Sequence, residues 1–164
     1  MTRRRRTTLL VGAVVVLALV AGTVGLVLAL RGPGPEDAAE DYLTAQWTGD
    51  ARTQCDLATE QWQHVLFEGH PFPDCAAFAS AAKEADGDDG FLAYADDTDL
   101  QVALQTTEAG DGQARVAYVL TFRYHGADRA GFDALWQGGD PVDRGTVLLA
   151  QVDGDWRVAG VDAG

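Results

Sequence analysis

The chain has 164 residues, 25 of them acidic and 12 basic, a net charge of −13 and two cysteines. Every acid follows Leu30, where only eight Lys and Arg stand against them, so residues 31–164 carry −17. A surface this acidic repels polyphosphate, which sets nucleic-acid binding aside.

Four arginines, Arg3, Arg4, Arg5 and Arg6, precede an uncharged run. Within it, Leu9 to Leu30 is 22 residues of Leu, Val, Ala and Gly with the single Thr23. A helix of that length reaches about 33 Å, enough for a hydrocarbon core of about 30 Å. The arginines make the N-terminal end cytoplasmic and the rest extracytoplasmic. A cleaved signal peptide is the competing reading. Its apolar region is usually about 7–15 residues and ends at a small-x-small site, whereas this run exits through Leu28-Ala29-Leu30-Arg31. The expectation is an uncleaved anchor in the cell membrane. No cysteine stands near the exit to carry a lipid, the first being Cys55. The layout expected is a basic tail over 1–8, a transmembrane signal-anchor over 9–30, a Pro/Gly linker over 31–35 and one extracytoplasmic domain over 36–164.

Three helical stretches come next. Residues 36–48 place Ala39, Tyr42, Leu43 and Trp47 at three- and four-residue spacing, with Glu36 and Asp37 in the first turn. Asp50 suits the N-cap of a second helix, which Thr59 to Trp62 continues or restarts. After the break at Gly69-His70-Pro71-Phe72-Pro73, Asp74 caps a third, Cys75 to Ala85. Two cysteines in a small exported domain pair, so Cys55 and Cys75 are expected to clamp the second helix to the third. His64 and His70 lie between them, but the four positions lack paired zinc spacings, and no metal is expected.

Beyond the acidic loop at Asp86–Gly90 the period becomes two. Leu100, Val102 and Leu104 alternate with polar neighbours, and Val116, Tyr118, Leu120, Phe122 and Tyr124 repeat the pattern. Gly110-Asp111-Gly112 turns the chain between these strands. A third strand spans 146–152, and Asp153-Gly154 leads as a tight hairpin into a fourth carrying Trp156 and Val158. The insert 126–144 places Phe132, Leu135 and Trp136 on one side of a short helix. Trp136 beside Phe132 is the candidate partner surface.

Helices first, then a meander ending in Asp153-Gly154-Asp155-Trp156-Arg157-Val158, resembles the nuclear transport factor 2-like, cystatin-like superfamily, and within it the membrane-anchored extracytoplasmic bacterial members. The resemblance covers about 125 residues and implies an α+β fold: about three helices on a curved, cone-like antiparallel sheet. It implies a candidate pocket at Tyr42, Tyr118, Leu120 and Phe122. Ketosteroid-isomerase relatives of this architecture pair a carboxylate base with an oxyanion hole, roles for which Asp99, Asp162 and the tyrosines are the available groups.

No catalytic set emerges. His64, His70 and His125 are far apart, and Ser80, the sole serine, lies in an alanine-rich helix. An EF-hand reading from Asp86 fails, because position five is Gly90 and position six Phe91. The expectation is a non-enzymatic binding or accessory module without cofactor, with the bilayer and a membrane or envelope protein as partners. The alternative is a small-molecule-binding or isomerase-like cone.

Overall fold

The computed structural model describes residues 33–67, 70–85 and 90–164. The basic tail, the anchor and the acids Asp86, Asp88 and Asp89 lie outside the described residues. Among the described residues, no helix is long and apolar enough to cross a membrane.

Pro35, assigned to the linker from sequence, opens α1 (Pro35–Trp47). Proline is at home there, because the first helical N–H has no intrahelical acceptor. Gly34 N–H donates to Asp37 Oδ2 at 2.6 Å. Ala38, Ala39, Tyr42, Leu43 and Ala45 form the buried stripe.

The second predicted helix divides in two. Asp50 caps α2 (Ala51–Asp56) by accepting from Thr53 N at 3.0 Å. Thr59 caps α3 (Glu60–Leu66), accepting from Trp62 N at 3.2 Å. Between them the backbone extends beside the last strand. Val158 N–H donates to Leu57 O at 2.9 Å and Thr59 N–H to Val158 O at 2.8 Å. Those bonds replace the helical ones, so the helix stops. As predicted, α4 covers Cys75–Ala85, with Ala77 N–H held by Asp74 Oδ1 at 2.8 Å. A 3-10 helix, Phe91–Asp97, leads into the sheet.

The sheet is antiparallel and curved, with strands in chain order: β1 (Thr98–Gly110), β2 (Gln113–Tyr124), β3 (Val142–Val152) and β4 (Asp155–Ala163). Two-residue turns join β1 to β2 at Asp111-Gly112 and β3 to β4 at Asp153-Gly154. All four turn residues have positive φ, 51° and 73°, then 55° and 93°. Such mirror-image turns match the twist of the strands they join. Irregularities at Thr107 of β1 and Ala159 of β4, each skipped in the pairing register, bend the strands. Because β3 begins at Val142 rather than Thr146, the excursion after β2 is shorter than predicted and leaves the meander order intact. It holds α5 (Arg129–Leu135), capped by Asp128, which accepts from Gly131 N at 3.0 Å.

α1 lies across all four strands and α3 against β4, while α4 docks on α2. The core sits between α1 and the sheet: Ala39, Tyr42 and Leu43 meet Val116, Leu120, Val147, Leu149 and Val158. This arrangement is α+β, as the change of period along the sequence requires.

Candidate functional site

The four residues of the candidate pocket are core residues. Tyr42 is 1 % exposed, Tyr118 4 %, Leu120 none and Phe122 2 %. They project from α1 and from alternate positions of β2 toward one another and fill the interior rather than line an open chamber. The Tyr42 hydroxyl accepts from Trp62 Nε1 at 2.8 Å and from Gln54 Nε2 at 3.4 Å. Beside Phe122 lies a void of about 30 Å³, room for water and little else.

Phe132 corrects the partner-surface expectation, because its side chain is wholly buried. The short helix carries it inward, where it stacks on Tyr124 at 4.8 Å and meets Tyr94 edge-on at 5.8 Å. Trp136 is half-buried and packs on Phe122 at 5.0 Å. Trp47 closes the cluster from the end of α1, 4.8 Å from Phe91 and 4.9 Å from Phe122. The exposed apolar residue of the helix is Leu135. Seven aromatics thus pack together at one end of the sheet. Two indole donors within them, Trp47 Nε1 and Trp136 Nε1, are buried without an acceptor among the described residues. Nothing in the local periodicity announces this cluster. Phe91 follows an acidic loop, and Trp136 lies 89 residues beyond Trp47.

The ionisable groups are dispersed. Tyr118 hydroxyl donates to Asp143 Oδ2 at 3.3 Å. Burial, and then the neighbouring Asp143 charge, push its phenol up to about 12. Asp99 and Asp162 do not share that environment. Asp99 pairs across the strands with Arg123, and Asp162 lies 3.6 Å from Arg115, both on the opposite face of the sheet from Tyr118. The period of two decides this, since Asp99 and Arg123 are offset by an odd number from the buried row. His64, His70 and His125 are exposed on α3, before α4 and after β2. Ser80 Oγ–H donates back to Ala76 O at 2.9 Å. Among the described residues, no group of three His, Cys, Asp or Glu is placed to hold a metal ion.

Concavity is found at the surface. A groove of about 490 Å³ near the β1–β2 turn is lined by Glu108, Asp111, Gln113, Arg115, Leu148 and Ala150. Arg115 is engaged there, 4.0 Å from Glu108. A second groove, of about 270 Å³, lies among the start of α1, α2 and the start of β4. Ala38, Leu57 and Trp156 line it together with Asp41, Asp56, Asp155 and the cation Arg157. The predicted disulfide joins Cys55 to Cys75, holding α2 against α4.

No protein-family model and no curated protein matches this sequence. Among solved structures, Aln2 from a Streptomyces species is similar at 18% identity and a TM-score of 0.37. The match covers 80% of this chain and 91% of that one. A likeness this slight carries no argument about fold or activity.

Proposed function

We propose that the protein is a membrane-anchored, extracytoplasmic module of the nuclear transport factor 2-like kind, with a binding or accessory role beside a membrane or envelope protein. The observation that carries this reading is the filled interior: Tyr42, Tyr118, Leu120 and Phe122 occupy the space an active cone would leave open. Of the carboxylates, Asp99 and Asp162 face the other side of the sheet, and Asp143, on the Tyr118 side, is engaged by the Tyr118 hydroxyl at 3.3 Å. Recognition then falls to the exterior, where the grooves are. The order of helices and meander, and the Asp-Gly-x-Trp hairpin at Asp153–Trp156, support the superfamily assignment. The Arg3–Arg6 cluster before 22 apolar residues supports the anchor and its orientation.

The test is fractionation and protease protection of the full-length protein in its native membrane, followed by crosslinking under non-reducing conditions. A domain accessible from outside and a reproducible crosslinked envelope partner are expected. A soluble, cytoplasmic protein would refute the proposal.

One observation favours a second reading, a small-molecule cone: the two indole donors without acceptors, at Trp47 and Trp136. The void that Trp47 lines is only about 30 Å³, so a ligand oxygen reaching these donors requires the aromatic cluster to open. Native mass spectrometry of the purified protein decides this, since a stoichiometric bound molecule would favour the cone.

A further inference from the structure

The two central strands are uncharged on both faces. Between Arg115 and Arg123, β2 reads Val-Ala-Tyr-Val-Leu-Thr-Phe, and Thr146 to Ala150 of β3 is uncharged as well. A sheet with one wet side alternates apolar with polar residues, whereas a continuous apolar run marks strands covered on both sides. The helices cover one side. α1 and α3 pack on the sheet through Ala39, Tyr42, Leu43 and Trp62, all within or against the core. Ala117, Val119, Leu148 and Ala150, at the alternate positions of the same strands, belong to neither the core nor its surroundings. By register they share the outer side, where Ala117 pairs with Thr146, Arg115 with Leu148 and Gln113 with Ala150. Charge also sets this side apart. Its margins hold Arg115, Arg123, Arg144 and Arg157, half of the basic residues after Leu30, against Asp99, Glu108, Asp155 and Asp162. The face is therefore neutral. The other 21 acids and four cations of residues 31–164 put the whole −17 elsewhere.

We propose that the outer face of the sheet is an interface with a second copy of this chain, the two sheets packed face to face about a two-fold axis near Ala117 and Thr146. The proposal goes beyond the binding-module reading and does not depend on it. Charge selects the occupant. A net charge of this size keeps copies apart unless they meet where it vanishes. A cationic partner is drawn to the acidic surfaces instead, and an anionic one finds no surplus of positive charge here. Margins of mixed sign are self-complementary, as a two-fold contact requires. Size agrees too. Four strands about 4.8 Å apart and about eleven residues long present roughly 700 Å², close to the roughly 800 Å² per partner of a stable interface. The small side chains at the centre let two sheets approach to about 10 Å.

The experiment is sedimentation equilibrium of the full chain in density-matched mild detergent. A monomer–dimer equilibrium is expected. Raising sodium chloride from about 0.05 M to about 0.5 M should tighten it several-fold, because salt screens the repulsion between two acidic domains. Ala117→Asp should raise the dissociation constant by at least about tenfold, since it sets two like charges together at the axis. Ser80→Asp, exposed on α4, should leave it within about twofold. A second measurement does not rely on a charged variant that still folds. With Cys55 and Cys75 bridged, Thr146→Cys supplies the one unbridged thiol of the chain. Its reaction with a maleimide should slow as protein concentration rises through the dissociation constant, while Ser80→Cys should react at one rate throughout. A monomer at every concentration, association that weakens with salt, or equal effects of the two aspartates would overturn the proposal. So would a dimer in which Thr146→Cys reacts as fast as in the monomer, which assigns the contact to another surface.

Discussion

Replacing both cysteines, Cys55→Ala with Cys75→Ala, tests whether the bridge stabilises the whole fold or merely pins one helix to it. The bridge spans 20 residues of chain. On the chain-entropy account, closing a loop of that size contributes about 3 kcal/mol. At a urea slope of about 1.5 kcal/mol/M, the midpoint of the full-length protein in mild detergent should fall by about 2 M. The packing of α4 modifies that expectation. α4 docks on α2, and beyond the bridge Phe78 packs with Phe67 at 5.4 Å and Phe72 at 5.6 Å. These aromatics form a satellite to the main core rather than part of it. Without the bridge, α4 should therefore release before the sheet does. Amide exchange resolves this. Amides of Phe78 to Ala82 should approach unprotected rates, while Val116 to Phe122 keep their protection. Chemical reduction of the wild type must reproduce the result, which separates the bridge from the change of side chain. A midpoint within about 0.3 M of wild type, about 0.5 kcal/mol at that slope, or α4 amides as protected as before, would refute the reasoning.

Phe132→Ala should cost about 3–5 kcal/mol, because the ring is wholly buried among aromatics; thermal unfolding measures it, and a near-neutral result would return Phe132 to the surface. Gly145→Ala should destabilise by about 1–3 kcal/mol, since its Cβ would meet the Asp162 carbonyl and lie 2.7 Å from the Tyr118 hydroxyl; the same melt checks it. Two groups should show in the pH dependence of stability. Tyr118 ionises near 12 rather than its ordinary value of 10.0, so the folded state is fully favoured below that ordinary value and loses ground as pH rises toward 12, as ultraviolet titration of the phenolate would record. The Glu36 carboxyl is held below 4.5 by hydrogen bonds from Thr106, so its contribution is present above that pH and fades as acid protonates it, which carboxyl-carbon NMR would follow.

The sheet is readable from sequence because its signals are local. Alternation at Val116, Tyr118, Leu120 and Phe122 marks the buried row, and Asp153-Gly154 marks a turn whose backbone few residues adopt. The Cys55–Cys75 bridge follows from a count of two cysteines and the expectation of export. What escapes depends on contacts between distant segments. The break after Asp56 exists because Leu57 and Thr59 bond to Val158, a residue about a hundred positions away. The 3-10 helix at Phe91–Asp97 reads as the tail of an acidic loop, since nothing in those seven residues reveals that Phe91 meets Trp47 and Phe122. Helical spacing places Phe132 and Trp136 on one side of α5 correctly but does not say which way that side faces. The pocket residues do face one another, as the pattern requires. Whether facing residues leave a chamber or fill it depends on side-chain volumes across the gap, which one strand pattern does not contain.

The contacts of Val158 and Thr106 also bear on solubility. A four-stranded meander ends in two strands whose outward N–H and C=O groups invite further strands, and through them fibre growth. On the β4 side, the backbone of Leu57–Thr59 already occupies the N–H and C=O of Val158. On the β1 side, Glu36 Oε1 accepts from Thr106 N–H at 2.8 Å, beside an irregular pairing that spoils the line of donors. Each margin of the sheet is thus stoppered by a piece of the helical layer, one by main chain and one by a carboxylate. Acid that protonates Glu36 would loosen the second stopper first, so the protein's tendency to self-associate should rise from the β1 side while its core is still folded.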